Sequence, residues 1–199
     1  MGKKKRQKKV IVSYIYEGER EEIFLKYLTE IYESDAKPLT MFSKRGGSAD
    51  SIISNTLKAL DRGTYLFVVL DEDFEQKDPL SIKTLRALEK VWCLKASSLD
   101  KVPYRNLNSY NIKQRKPIIV FSNPHSIEGI LLQILNVPKK DLENSNTDRL
   151  KDRLNGCCHA KFDADFLKER FSKAVIEDKR TVIPELDLII SLMEKAKKS

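Results

Sequence analysis

Two apolar segments of the sequence each end abruptly in acidic residues. The run Val68-Val69-Leu70 is followed by Asp71-Glu72-Asp73, and the run from Val10 to Tyr16 is followed by Glu17-Gly18. Residues two apart on a strand point to the same side, so Asp71 and Asp73 can converge on one ion. Magnesium prefers carboxylate oxygens together with retained water molecules. Because open α/β sheets bind ligands at the carboxyl ends of their strands, the pattern predicts a magnesium site at one sheet edge.

More polar residues come soon after predicted strand ends. Glu21 lies on the first turn of the helix that follows Glu17, and Glu128 lies one turn into the helix that follows Ser122 and Asn123. Carboxylates that crowd together repel, which raises their pKa and costs stability. A divalent cation bound among these acids would remove that conflict.

A basic pair precedes another predicted helix. Lys44 and Arg45 stand before Gly46-Gly47 and a helix that is predicted to start at Ser48. Helix N-termini bind phosphate groups readily, so this pair is a candidate phosphate contact. A helix-capping turn accounts for the same residues, and both interpretations remain open.

Strand-like and helix-like segments alternate through the first two thirds of the chain. Apolar runs predict strands over 9–16, 37–43, 64–70 and 117–121, and apolar spacing predicts helices over 19–33, 48–62, 79–94 and 127–135. This alternation is typical of an α/β fold with a mostly parallel sheet flanked by helices. Beyond Pro138 the strands stop, and helices are predicted over 146–154, 163–175 and 183–195. We therefore expect a basic arm (1–8), an α/β domain (9–137) and a helical C-terminal extension (138–199).

The positive charge of the chain is concentrated at its start. The net charge is +8, and six positive charges lie within the first nine residues, at Lys3, Lys4, Lys5, Arg6, Lys8 and Lys9. Such an arm can hold a nucleic-acid backbone through counterion release, or it can be a solvated tail. No apolar stretch approaches the roughly 18 residues needed to span a bilayer. These features predict a soluble, cytoplasmic protein without a membrane partner, and the arm alone leaves nucleic-acid binding open.

The cysteines favour a structural role. Cys93, Cys157 and Cys158 are odd in number, and an adjacent pair neither matches zinc spacing nor forms an unstrained disulfide. Cys157-Cys158-His159 could suggest a metal or nucleophilic site. Because His125 is the only other histidine, we expect reduced, structural cysteines instead.

Three motifs, in order, resemble a known group of proteins. Glu17-Gly18 after one strand and Asp71-Glu72-Asp73 after a later one resemble the topoisomerase–primase (TOPRIM) domain. More narrowly, the stretch from Glu17 to Phe24 resembles the opening motif of RloB-like proteins, in which Glu-Gly and two further residues precede a second Glu and an aromatic residue. The stretch from Phe121 to Glu128 is similar to their Ser-Asn-Pro-x-Phe-Glu motif. Arg20 departs from the threonine common in that family, and Ile127 replaces an aromatic residue.

The resemblance covers roughly residues 9–136 and implies a Rossmann-like sheet that binds Mg²⁺ or Mn²⁺ for phosphodiester chemistry. Glu17, Asp71 and Asp73 would organise the metal, and Glu21 and Glu128 match the remaining acids of the motifs. Ser122 and Asn123, with Lys44 and Arg45, are the candidate substrate contacts. The resemblance further implies a nuclease that acts on DNA or RNA, in a bacterial locus for defence against phage and with a protein partner from that locus. Hydrolysis without a covalent tyrosine intermediate is expected for a chain of this length.

Two other functions fit parts of the same pattern. The TOPRIM-like domain could be a non-catalytic nucleic-acid-binding module that works within a larger complex. Alternatively, Asp71-Glu72-Asp73 could hold a metal-bound nucleotide diphosphate, as Asp-x-Asp does in glycosyltransferases. The last alternative gives Glu17-Gly18 no role.

Overall fold

The sheet is parallel and brings the predicted strands together. The computed structural model describes residues 11–38, 65–71, 118–158 and 161–196. Within these ranges the strands are β1 (Val12–Tyr16), β2 (Lys37–Pro38), β3 (Tyr65–Asp71) and β4 (Ile118–Ser122). They are hydrogen-bonded in the order β2-β1-β3-β4, and every pair is parallel. The predicted α/β class, with a parallel sheet and flanking helices, is confirmed for the described residues.

The strands are apolar because both faces of the sheet are covered. All five residues of β1 are buried, including Tyr14 and Tyr16. Phe67 to Leu70 of β3 are each no more than 1% exposed. Strands that bury both faces need continuous apolar sequence rather than alternation. Tyr14 and Tyr16, which alternate with apolar residues in the sequence, therefore belong to the core rather than to a base-stacking surface.

Two helices follow the strands on which the predicted site depends. Helix α1 begins directly after Gly18 and helix α2 begins after Ser126, so each starts within five residues of a strand end. The helices of the described residues are α1 (Glu19–Ile31), α2 (Ile127–Ile134), α3 (Lys139–Glu143), α4 (Thr147–Cys157), α5 (Ala164–Arg170), α6 (Lys173–Arg180) and α7 (Pro184–Glu194). Among these residues, no helix combines the length and the apolar composition required to cross a bilayer.

The helices after Pro138 differ in detail from the prediction. The single helix predicted over 163–175 is two helices, α5 and α6, separated at Phe171 and Ser172. The Ser172 hydroxyl accepts a hydrogen bond from the Val175 amide and so caps the second helix. The short helix α3 has no counterpart in the prediction. Helix α7 has Pro184 in its first turn, as expected.

The C-terminal helices share one hydrophobic core with the sheet. Helix α7 packs against β4 and α1, α4 packs against α2, and α5 packs against α1. Buried residues of the sheet and of α7, such as Val69 and Ile189, belong to the same apolar cluster. The Tyr27 hydroxyl donates a buried hydrogen bond of 2.8 Å to the Phe171 carbonyl. Among the described residues, the hydrophobic core therefore continues across the expected domain boundary between residues 137 and 138.

Several predicted segments lie outside the described residues. They are the basic arm and the helices predicted over 48–62 and 79–94.

Candidate metal centre

The ends of three neighbouring strands meet at one edge of the sheet. Tyr16 at the end of β1 lies opposite Val69 of β3, and Asp71 at the end of β3 lies opposite Ser122 of β4. Glu17 follows β1 directly, and its Oε2 accepts a long hydrogen bond of 3.5 Å from the Asp71 amide. The predicted convergence of Glu17 and Asp71 is thus present in the structure. We call Glu17, Glu21, Asp71 and Glu128 the acid edge.

Asp71 joins the sheet to the helix that follows β4. The residue is 7% exposed, and Oδ1 accepts a hydrogen bond of 3.2 Å from the Ile127 amide, at the first residue of α2. Helix N-termini carry partial positive charge and unpaired amides, which favour a carboxylate at this position. One oxygen of Asp71 therefore orients α2 and holds Glu128, the next residue, beside the strand ends.

Glu21 is folded back over a glycine. It is 4% exposed on the first turn of α1, and a Cβ placed on Gly18 would lie 2.8 Å from Glu21 Oε2. Any side chain at position 18 would therefore displace the Glu21 carboxylate. This contact gives a physical reason for the Glu-Gly-x-x-Glu spacing in the sequence.

The acids interact electrostatically. Burial raises the pKa of Glu21 to about 7, and the nearby charges of Glu128 and Glu17 add to the rise. Hydrogen bonds from the backbone amides of Glu21 and Gly18 act on this pKa in the opposite direction but are outweighed. Glu21 can therefore exchange a proton close to neutral pH, which a general acid or base requires.

Glu128 is paired through only one of its oxygens. It is 2% exposed, and Oε1 accepts a hydrogen bond of 2.7 Å from Arg20 Nη1. Oε2 is buried and has no hydrogen-bond partner within the described part of the chain. A buried carboxylate oxygen without a donor is costly, and a bound cation would compensate it.

Of the two candidate substrate contacts after β4, Ser122 is buried and Asn123 is partly exposed. Ser122 is fully buried, so a contact with substrate would require it to be uncovered. The Asn123 carbonyl accepts a hydrogen bond of 2.9 Å from Gln133 Nε2, which holds the turn after β4 against α2. A Cβ on Gly129 would lie 2.2 Å from the Pro124 carbonyl oxygen, so only glycine fits where this turn crosses α2. The sequence prediction misses this role of Gly129.

Arg20 makes contacts with the acid edge that the sequence does not indicate. In the sequence it is notable only as a departure from a family pattern, yet its guanidinium contacts both Glu128 and Asn155. Those partners are 108 and 135 residues away along the chain, so no local pattern could indicate them.

The remaining candidates fall into two groups. Asp73, Lys44 and Arg45 lie outside the described residues. Cys157 and Cys158 are free thiols, as expected, and Cys158 Sγ donates to the Leu154 carbonyl.

A divalent cation fits the acid edge in part. Oε2 of Glu128 is buried without a hydrogen-bond partner among the described residues, and burial together with the charges of Glu128 and Glu17 raises the pKa of Glu21. The available donors are carboxylate oxygens, which suit Mg²⁺ and Mn²⁺. Within residues 11–38, 65–71, 118–158 and 161–196, however, no three His, Cys, Asp or Glu side chains are grouped closely enough to ligate one metal.

No protein-family model, curated protein or solved structure matches this chain. The function must therefore be judged from the acid edge and its surroundings.

Proposed function

We propose that this protein is a metal-dependent nuclease of the TOPRIM type that hydrolyses phosphodiester bonds in DNA or RNA. The observation that carries the proposal is the contact between Glu17 and Asp71, which come from the ends of two neighbouring parallel strands. Glu21 and Glu128 extend the same cluster, since both the Glu17 and the Glu128 charge raise the pKa of Glu21. A cluster of acids at the carboxyl ends of parallel strands is a common location for a ligand site in α/β proteins.

The acid edge would hold Mg²⁺ or Mn²⁺ through Glu17 and Asp71, with Asp73, Glu21 and Glu128 as further oxygen donors. When bound, such an ion polarises a scissile phosphate and lowers the pKa of attacking water. The Ile127 amide holds one oxygen of the Asp71 carboxylate, and the Asp71 backbone amide donates to Glu17 Oε2. Without a bound metal, burial raises the pKa of Glu21 to about 7, and as a metal ligand Glu21 would bind as the carboxylate. Glu17 would serve as a ligand or as a general base.

Nucleic acid is the proposed substrate because of the basic arm and the RloB-like motifs. Six positive charges in the first nine residues give the chain a means of holding phosphates outside the acid edge. Lys44 and Arg45 would add contacts to the same backbone. A role inside bacterial cells in defence against phage, together with a partner protein, follows from the same resemblance.

A cleavage assay with a charge-removing variant tests the proposal. Supercoiled plasmid, linear duplex, single-stranded DNA and structured RNA would each be incubated with Mg²⁺, with Mn²⁺ and with EDTA. Asp71→Asn is the informative variant, because its amide oxygen can still accept from the Ile127 amide while the negative charge is lost. Asp71→Ala would remove both the negative charge and the acceptor for the Ile127 amide, and so would also disturb the start of α2.

Metal-dependent cleavage that Asp71→Asn lowers by roughly 100-fold or more is the expected result. Asp178→Asn is the matched control, because Asp178 is an exposed acid of α6 outside the acid edge. Cleavage that survives in both variants would contradict the assignment of Asp71. Metal-independent binding of nucleic acid without any cleavage would favour the non-catalytic binding module instead.

A further inference from the structure

The guanidinium of Arg20 contacts three separate parts of the chain. Nη1 donates to Glu128 Oε1 on the first turn of α2 at 2.7 Å. Nη2 donates to Asn155 Oδ1 on the last turn of α4 at 2.8 Å. The Phe162 ring, just before α5, has its centroid 6.0 Å from the guanidinium carbon. One side chain on the first turn of α1 thus links the acid edge to two elements of the helical C-terminal region.

The shape of the guanidinium makes these contacts interdependent. Arginine presents its donors in a rigid planar fork, so the direction of one donor fixes the direction of the others. Asn155 and Phe162 therefore set the orientation of the Nη1 donor that Glu128 accepts. Because Glu128 Oε1 is held there, the position of its buried and unmatched Oε2 is set as well.

The pair is also more enclosed than an ordinary surface ion pair. The Arg20 side chain is 23% exposed and that of Glu128 is 2% exposed. Exposed ion pairs contribute little, whereas removal of one partner from a buried pair leaves a charge that must move or become neutral. Loss of Arg20 is therefore expected to move or reorient Glu128.

We propose that Arg20 is a positioning residue for the acid edge: by bonding Glu128 and Asn155 at the same time, it fixes the Glu128 carboxylate for metal binding and makes the helical C-terminal region part of the site. This inference rests on the proposed nuclease function. It assigns a role in activity to Asn155, an exposed residue whose side chain reaches the acid edge through Arg20.

The test uses the variants Asn155→Ala, Arg20→Gln and Arg20→Lys, together with the double variant of the first two. Asn155→Ala removes the acceptor and keeps a residue that suits a helix. Arg20→Lys keeps the charge but not the fork. Three quantities are measured for each protein: kcat and KM for the substrate that the cleavage assay identifies, and the affinity for Mn²⁺ from its effect on Tm.

We expect Arg20→Gln to lower kcat or Mn²⁺ affinity by roughly 10- to 100-fold, as loss of a residue that orients a metal ligand usually does. Asn155→Ala should lower the same quantities by a smaller factor and leave KM nearly unchanged. It should have no further effect once Arg20 is glutamine, because Asn155 acts through Arg20. Lysine at position 20 should fail to restore wild-type values.

Ser172→Ala is the matched control for stability. It removes the N-cap of α6, which is unconnected to Arg20, so it should lower Tm without changing kcat or Mn²⁺ affinity. If the Arg20 and Asn155 variants behave like this control, the positioning role is wrong while the nuclease proposal stands. If the wild-type protein neither cleaves any substrate nor gains Tm from Mn²⁺, the proposed function is wrong and the positioning role fails with it.

Discussion

At the scale of single residues, the burial of Glu21 gives the protein a defined response to pH. The pKa of Glu21 is about 7 in the folded protein, against an ordinary value of 4.5. Between these values the folded state keeps a proton that the unfolded state has released. Stability is therefore lost as the pH rises through this range, and the loss is complete above pH 7. A shift of this size corresponds to about 3 kcal/mol in the free energy of unfolding.

The variant Glu21→Gln should remove this penalty in the absence of metal. Glutamine stays neutral, so the free energy of unfolding should rise by up to about 3 kcal/mol at pH 8 and change little at pH 4.5. Urea denaturation at pH 8 and at pH 4.5 measures the change in the free energy of unfolding at each pH. Glu19→Gln, an exposed side chain on the same turn, serves as the control and should not change the pH dependence. An equal effect of Glu21→Gln at both pH values would contradict the assignment.

The acids of the candidate site can be predicted from the sequence, and their basic partner cannot. Glu17, Asp71 and Glu128 each lie at or soon after a strand end, and parallel strands bring such ends to one edge. The contacts of Arg20 depend on how α2 and α4 pack on one another, which one sequence does not specify. The burial of Ser122 escapes prediction for the same reason, since it depends on what covers the turn after β4.

At the scale of elements, the turn between β4 and α2 requires an unusually close approach. Gly129 lies against the Pro124 carbonyl, and Gln133 holds the Asn123 carbonyl from the next turn of the same helix. The first turn of α2, which also donates an amide to Asp71, is therefore fixed from both sides. Displacement of this turn would therefore move both Asp71 at the end of β3 and the first residues of α2.

Two glycine-to-alanine substitutions should have opposite effects on stability. A Cβ at Gly129 would lie 2.2 Å from the Pro124 carbonyl oxygen, so Gly129→Ala should lower the free energy of unfolding by about 1–3 kcal/mol. A Cβ at Gly156, in α4, would have no atom of the described residues within 4 Å, apart from its own neighbours in the helix. Gly156→Ala should therefore raise stability by about 0.5–1 kcal/mol through helix propensity. Denaturant titration of both variants measures the two changes, and a gain at both positions would show that the turn is not specially crowded.

Elements are predicted well where apolar periodicity is continuous and poorly where polar contacts interrupt it. Strand β1 and helix α1 start and end within a few residues of their predicted positions. The break between α5 and α6 escapes prediction because Leu167, Phe171 and Val175 recur every four residues, which suggests one continuous helix. The N-cap at Ser172 interrupts the helix there.

At the scale of the whole molecule, the sheet and the C-terminal helices form one core. Helix α7 packs against β4 and α1, and its residues Leu188 and Ile190 are fully buried. A division between an α/β domain and a C-terminal extension describes the order of elements along the chain. It does not describe two units that bury their apolar surfaces separately.

A fragment that ends at Val137 should therefore fail to fold cooperatively, because it lacks the helices that cover β4 and α1. Circular dichroism during urea titration would detect the absence of a sharp transition. In the full chain, Leu188→Ala and Leu70→Ala should each lower the free energy of unfolding by about 2–5 kcal/mol. Each variant should still unfold in a single transition. Cooperative unfolding of the fragment would contradict the shared core.

The turn after α1 is completed only by residues far along the chain. The Ser34 hydroxyl donates to the Met193 carbonyl at 2.7 Å, and the Asp35 amide donates to the Ala196 carbonyl at 2.6 Å. During synthesis the first helix therefore leaves the ribosome long before its partners exist. The turn after α1 can therefore be completed only once α7 and Ala196 have been synthesised, which gives chaperones and proteases a period in which to recognise the incomplete chain.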